Sequence, residues 1–314
     1  MSYESSRRYL IVSPCRNEEK FMRRTLDSVI AQSVRPALWV IVDDGSTDAT
    51  PQILAEYAAK HDFIRVVPRK DRGTRSVGPG VIEAFYTGYE TVDPSRYDFV
   101  CKLDLDLDLP VRYFELLMKM MEDQPRLGNI SGKAYYIAGD GQRVRESISD
   151  EVSVGASKFY RMACFQQVGG FVRQVMWDGI DCHRCRMKGW LVGSFDDAEI
   201  QFLHLRPMGT SQHGIWTGRI RHGFGQYFMG SSIWYMTASA VYRVFQRPFV
   251  IGGIAVWWGY VKSMLTGVKR YDDLEFRRFL REFQWLCLTK GKRRAAALTD
   301  QRQAALWNPP GVKR

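Results

Sequence analysis

The sequence predicts an α/β fold: an open, mostly parallel sheet flanked by helices. Two observations carry that prediction. Short apolar runs alternate with amphipathic stretches through roughly the first 200 residues, and such alternation builds βαβ units. Polar motifs directly follow the first, second and fourth apolar runs. Open α/β sheets bind ligands there, at the carboxyl ends of their strands.

The elements follow in order. Residues 9–13 (YLIVS) read as a buried strand. Residues 18–33 read as a helix with Phe21, Met22, Leu26, Val29 and Ile30 on one face. Residues 38–42 (LWVIV) form a second strand, 43–50 a turn-rich loop, and Pro51 opens a helix reaching about residue 61. Residues 64–67 are a third strand, 80–91 a helix, 99–103 a fourth strand, and 110–123 a helix opened by proline. Beyond Gly128 the pattern is irregular: a strand over 130–137 ending in a turn at 139–141, a helix over 178–189, then strands at 191–195 and 200–204.

A chain of 314 residues with 45% hydrophobic content supports one large core, or one core plus a smaller appendage. The formal charge of +11 attracts anions. No nucleic-acid-binding motif accompanies it, so nucleic acid is not an expected partner; an anionic membrane surface or a phosphorylated small molecule is. The six cysteines are mostly scattered, and the first ten residues hold no apolar signal core. Both suggest free thiols in a cytosolic compartment. Cys182 and Cys185 lack the second pair a zinc site needs.

The character changes after His222. Residues 223–242 carry no formal charge but include three glycines, and 248–261 are more apolar but short for a span. Basic clusters flank and follow both runs. An interfacial, monotopic helix pair on the cytoplasmic face of a membrane is expected, with Trp257, Trp258 and Tyr260 at headgroup level; buried helices are the alternative. The expected division is an α/β domain over 1–210 and a loop with membrane-associating helices over 211–314.

Three motifs carry chemistry. Pro14-Cys15-Arg16-Asn17-Glu18-Glu19 follows the first strand and Asp43-Asp44-Gly45-Ser46-Thr47-Asp48 the second. Their loops can share one pocket, with carboxylates accepting hydrogen bonds from a base or ribose; the second could equally be an Asx turn and helix cap. Asp104-Leu105-Asp106-Leu107-Asp108 follows the fourth strand. If it stays extended, its three carboxylates share one side, and a divalent cation would relieve their repulsion. Arg72 and Arg75, in the glycine-rich stretch 72–80, could contact a donor from a helix start or belong to a solvated loop.

P-x-R-N-E, V-D-D-G-S-T-D and K-L-D-x-D, in this order and spacing, resemble the family 2 glycosyltransferases of GT-A fold, over about residues 8–210. The resemblance implies a Rossmann-like mixed sheet, inverting transfer and a nucleotide-diphosphate sugar donor. It places Pro14, Arg16, Glu18, Asp43 and Asp44 at the nucleoside and Asp104 and Asp106 on a Mg²⁺ or Mn²⁺ diphosphate; Asp108 falls outside that pair. The family also has a catalytic carboxylate about ten residues before a Gly-aromatic pair. Asp178, ahead of Gly189-Trp190, matches, although Trp177-Asp178 replaces the usual acidic pair. Asp178 is the candidate base, with a helix N-cap as its alternative reading. Asp181 is the runner-up, or holds Arg184 or the acceptor. His204 is a candidate metal or diphosphate contact, and Arg206 a phosphate clamp. His213-Gly214 and 218–225 read as a basic, flexible lid or acceptor loop. The expected acceptor is a lipid-linked or other glycan, in envelope or exopolysaccharide assembly. The rival readings are a nucleotidyltransferase and a non-catalytic membrane-binding scaffold.

Overall fold

The structure, a computed structural model, describes residues 7–71, 73, 78–206, 214–245 and 249–309. Arg72, Arg75 and His213 lie outside the described residues. The chain divides into two compact units: Met1–Arg206 with Ala305–Arg314, and Pro207–Ala304.

In the first unit the elements are β1 (Tyr9–Cys15), α1 (Met22–Ile30), β2 (Leu38–Asp43), α2 (Thr50–Lys60), β3 (Ile64–Pro68), α3 (Pro79–Tyr89), β4 (Phe99–Leu103), β5 (Leu107–Asp108), α4 (Tyr113–Asp123), β6 (Leu127–Gly132), β7 (Ala134–Ile137), β8 (Arg143–Arg145), β9 (Ser157–Arg161), α5 (Met162–Gln167), α6 (Trp177–Met187), β10 (Leu191–Phe195) and β11 (Phe202–His204). Seven strands form the main sheet in the order β10-β6-β9-β4-β1-β2-β3. β9 runs antiparallel to both neighbours, and the other pairs are parallel. A smaller sheet has the order β5-β11-β7-β8.

Alternation along the central strands explains why they read as continuous apolar runs. Tyr9 and Ile11, Trp39 and Ile41, and Phe99 and Cys101 pack into one core layer. Leu10 and Val12, Val40 and Val42, and Val100 pack into a second layer on the opposite face. A sheet covered on both faces needs apolar residues at both parities. The C-terminal stretch joins this unit through Trp307, whose ring meets the buried Trp190 edge-on at 5.8 Å. Residues 305–309 thus group with the first unit.

Two elements differ from expectation. The single strand expected over 130–137 is two strands, β6 and β7, in different sheets. The switch falls at Gly132, where a Cβ would sit 1.7 Å from the Ile200 carbonyl oxygen. The helix expected from residue 18 starts at Met22. The N–H groups of Asn17, Glu18 and Glu19 instead donate to Ser46 Oγ, Thr50 Oγ1 and Asp48 Oδ2.

The second unit is helical: α7 (Gly214–Met229), α8 (Ile233–Val244), α9 (Ile251–Leu265), α10 (Leu274–Lys290) and α11 (Lys292–Arg302). The uncharged run over 223–242 is not one helix. Gly230, at φ +90°, breaks it, and the Ser232 side chain caps α8 by accepting from Tyr235 N–H. Residues 218–225, expected as a flexible lid, lie inside α7. Its Gly223 faces α9 so closely that a Cβ would sit 2.0 Å from Val256 O. Tyr227, Met236, Val256 and Tyr260 form the buried centre, and Tyr260 Oη donates to Ser231 O at 2.8 Å.

Candidate active site

The loops after β1 and β2 are laced together. Asn17, with φ +54°, presents Oδ1 to Thr47 N–H at 2.8 Å, and Glu19 Oε2 accepts from Ala49 N–H. Asp43 Oδ1 accepts from Ser46 N–H at 3.0 Å, which is the Asx turn foreseen as the second reading of that motif. Asp44 pairs with Arg69 at 2.8 Å. The Arg16 guanidinium donates to the Asp44 carbonyl and to Asp71. Pro14 is the next-to-last residue of β1, in register with Val42. Pro14, Arg16, Asp43 and Asp44 therefore gather at neighbouring strand ends.

The three carboxylates after β4 do not share one side. The extended backbone is interrupted between β4 and β5, and each acid meets a different cation. Asp104 Oδ1 accepts from Lys102 Nζ. Asp108 pairs with Arg24 at 2.7 Å. Asp106 Oδ2 accepts from Arg206 Nη2 at 2.7 Å, and the same nitrogen donates to Glu18 at 2.9 Å. Here 188 residues of sequence separation close on one guanidinium.

His204 lies between two acids. Its Nδ1 is 3.0 Å from Glu146 Oε1, and its Nε2 is 3.5 Å from Asp106 Oδ1. Burial works against the imidazolium, but Asp106 and Glu146 outweigh it and raise its pKa to about 10. Burial likewise opposes the Asp106 charge, yet His204 and Arg206 hold that carboxyl below its ordinary range.

Among the described residues no group of three or more His, Cys, Asp or Glu side chains is placed to hold a metal. A smaller donor set is present. Among the described residues the buried Asp106 Oδ1 has no hydrogen-bond partner, and His204 Nε2 faces it at 3.5 Å. A cation carried on a diphosphate takes few protein ligands and completes its shell with phosphate oxygens and water. Asp106 fits that role; His204 would join it only as the neutral imidazole, its proton displaced by the cation, with Glu146 as the carboxylate that orients the ring. Asp104 offers Lys102 only one of its two oxygens, Oδ1.

Asp178 and Asp181 stand in opposite environments. Asp178 is exposed in the first turn of α6. Its N-cap reading is not realised: the cap position is Met176, with φ +62° and no side-chain cap. Asp178 Oδ2 lies 3.2 Å from where a Cβ on Gly155 would be. The Gly155 carbonyl accepts from Lys102, the lysine that holds Asp104. Asp178 thus borders the end of β4. Asp181 is 1% exposed. Both its oxygens accept from Lys158 at 2.7 Å, and Tyr160 Oη donates to Oδ2. It holds Lys158, not Arg184, and it is sealed from any acceptor. Lys158 also donates to the Asp178 carbonyl at 2.8 Å. Lys102 and Lys158 are register partners on β4 and β9, and both approach the Trp177 ring, at 5.2 and 5.6 Å. The replacement of the usual acid by tryptophan therefore sits against two buried ammonium groups.

Sequence reasoning missed Glu146, Lys158 and Gly155. All three lie in the segment between β7 and α6, where no periodicity marks them. Lys102 was visible in K-L-D-x-D but had no assigned part.

The mixed sheet and its strand-end carboxylates define an α/β protein of GT-A type. Residues 10–174, more than half of the chain, match the family model for glycosyl transferase family 2, and the chain belongs to that family. It is similar to the putative glycosyltransferase EpsH of Bacillus subtilis (strain 168), 26% identical over 196 residues, covering 60% of this chain and 52% of that protein. The chain thus spans about half the length of that relative. Two solved structures share the fold. TarS 1–349 of S. aureus has a TM-score of 0.52 at 15% identity, covering 95% of this chain and 92% of that one. The mannosyltransferase PcManGT from Pyrobaculum calidifontis, in complex with GDP-Man and Mn²⁺, has a TM-score of 0.50 at 17% identity, covering 95% and 86%.

Proposed function

We propose that this protein is an inverting glycosyltransferase that moves a sugar from a nucleotide-diphosphate donor to a glycan acceptor, lipid-linked and met at the cytoplasmic face of a membrane. The observation that carries the reading is the placement of Asp178: an exposed carboxylate at a helix start, one residue's contact from the lysine that holds Asp104. Family membership supports the reaction class.

In this reading Asp178 accepts the proton of an acceptor hydroxyl as that oxygen attacks the anomeric carbon. The new C–O bond forms as the bond to the diphosphate breaks, so the configuration inverts and a nucleoside diphosphate leaves. Arg206 offers donors to the leaving phosphates. A bound Mg²⁺ or Mn²⁺ would neutralise the charge that develops there, held by Asp106 and His204. Pro14, Arg16, Asp43 and Asp44 line the nucleoside end, and Glu18 holds Arg206 in place.

Release of nucleoside diphosphate from a panel of UDP-, GDP- and dTDP-sugars, with and without Mn²⁺, tests the reading. Metal-dependent release from one donor supports it. Silence across the panel, with no nucleotide bound, would replace it with a non-catalytic scaffold; pyrophosphate release from a nucleoside triphosphate would replace it with a nucleotidyltransferase.

A further inference from the structure

The charge of the chain is not spread evenly. The unit Pro207–Ala304 holds 15 Lys and Arg against 5 Asp and Glu, a formal +10 of the chain's +11. The same unit holds the exposed apolar surface. Among the described residues, every exposed large hydrophobic side chain lies in it except Val111, Ile137 and Leu306.

The arrangement of that surface is specific. On α8 and its C-cap the outward positions Trp234, Val241 and Phe245 recur at helical spacing, with Trp234 75% and Phe245 76% exposed. On α9 the outward positions Ile251, Ile254, Trp258 and Leu265 do the same. The inward positions of α9 combine two large residues, Val256 and Tyr260, with five small ones, Gly252, Gly253, Ala255, Gly259 and Ser263. A Cβ at Gly253 would sit 2.5 Å from Ala240 O on α8, and one at Gly259 would sit 2.2 Å from Ile220 O on α7. Large side chains outside and small ones at the helix crossings invert the pattern of a water-facing helix. This is how helices pack when apolar solvent surrounds them.

No described helix is long and apolar enough to cross a membrane; α8 has 12 residues and α9 has 15. A surface that is apolar and rich in tryptophan, on helices too short to span and in a unit with a strong basic excess, matches the interface of a bilayer. We propose that the outward stripes of α8 and α9 insert into the interfacial layer of an anionic bilayer, with the basic excess of the same unit paired to the lipid headgroups. Arg243, Arg247 and Lys262 are the nearest cations in sequence to the two stripes, followed by Lys269 and Arg270. The inference rests on the second unit alone and stands whether or not the sugar-transfer reading does.

The test is co-sedimentation of the full chain with vesicles of phosphatidylcholine alone and with roughly a third phosphatidylglycerol, at low and high salt. The wild type is expected to bind the anionic vesicles at least about tenfold more tightly, with salt weakening the binding. A variant carrying Trp234→Ser, Phe245→Ser, Ile254→Ser and Trp258→Ser is expected to lose at least about tenfold in affinity, while its thermal melt stays near that of the wild type. Quenching of wild-type tryptophan fluorescence by brominated lipid reads insertion without any variant. Unchanged vesicle binding by the folded variant, absence of quenching, or a stable dimer that ignores vesicles would each overturn the proposal; the last would assign the stripes to a second copy of this chain.

Discussion

The guanidinium of Arg206 donates to Asp106 Oδ2 at 2.7 Å. It is the link between the carboxylates after β4 and Glu18 in the loop after β1, because the same group reaches both. Three segments far apart in sequence meet on one cation.

Arg206→Met leaves Glu18 and Asp106, both nearly buried, without their shared cation. Removing one partner of a buried pair costs about 3–5 kcal/mol; Arg206 itself keeps some solvent exposure, so about 2 kcal/mol is expected here. Urea unfolding reads it. Nucleoside-diphosphate affinity is expected to fall as well. Arg206→Lys keeps a charge but not the fork that reaches two acids, and is expected to recover only part of either loss.

His204 gives a pH dependence with a defined sign. Its pKa is about 10 in the folded protein, against about 6.5 in an unfolded chain. The folded state therefore binds the proton more tightly. The resulting stability is fully present below about pH 6.5 and is lost as pH rises through about 10. Melts of wild type and His204→Gln across that window are expected to converge as pH rises. Glu146→Gln removes one of the two acids, so a titration followed by NMR is expected to show the imidazole pKa lowered. An imidazole in the wild type that titrates near its ordinary value would contradict the geometry.

Lys158 and Asp181 are a structural pair. Asp181→Asn leaves the Lys158 charge buried and unmatched, at a cost of about 3–5 kcal/mol. The double variant Lys158→Met/Asp181→Leu is expected to recover part of that loss. A double-mutant cycle by chemical unfolding measures the coupling. Additive single losses would show that the two side chains do not depend on each other.

Gly155→Ala probes Asp178 without touching its carboxylate. The new Cβ would meet Oδ2 at 3.2 Å, closer than normal contact, so the side chain must shift by a few tenths of an ångström. Turnover is expected to drop about tenfold, since small misplacements of reacting groups are costly, with donor affinity little changed. Steady-state kinetics separates the two effects.

How much of this was legible depends on which force marks each residue. β1, β2 and β4 announce themselves because they are covered on both faces, so Tyr9–Val12 and Trp39–Val42 could only be apolar. The motif loops were legible as chemistry but not as geometry: nothing in D-L-D-L-D shows that Asp108 turns to Arg24 and Asp104 to Lys102. β9 stayed hidden because SKFYR carries Lys158 and Arg161 in a fully buried strand. Lys158 pairs with Asp181, 23 residues on, and only the fold brings them together. Glu146 lies in a stretch with no periodicity, and its part depends on His204, 58 residues away. In the second unit, composition signalled apolar helices, but the break at Gly230 depends on one backbone angle.

The most direct test of the central claim is Asp178→Asn, assayed for sugar transfer or donor hydrolysis alongside nucleoside-diphosphate binding. The exchange removes a proton acceptor and little else. Turnover is expected to fall by about 10²–10⁴, while binding stays within about twofold of the wild type. Near-native turnover in a folded Asp178→Asn protein would contradict the account and remove Asp178 as the base.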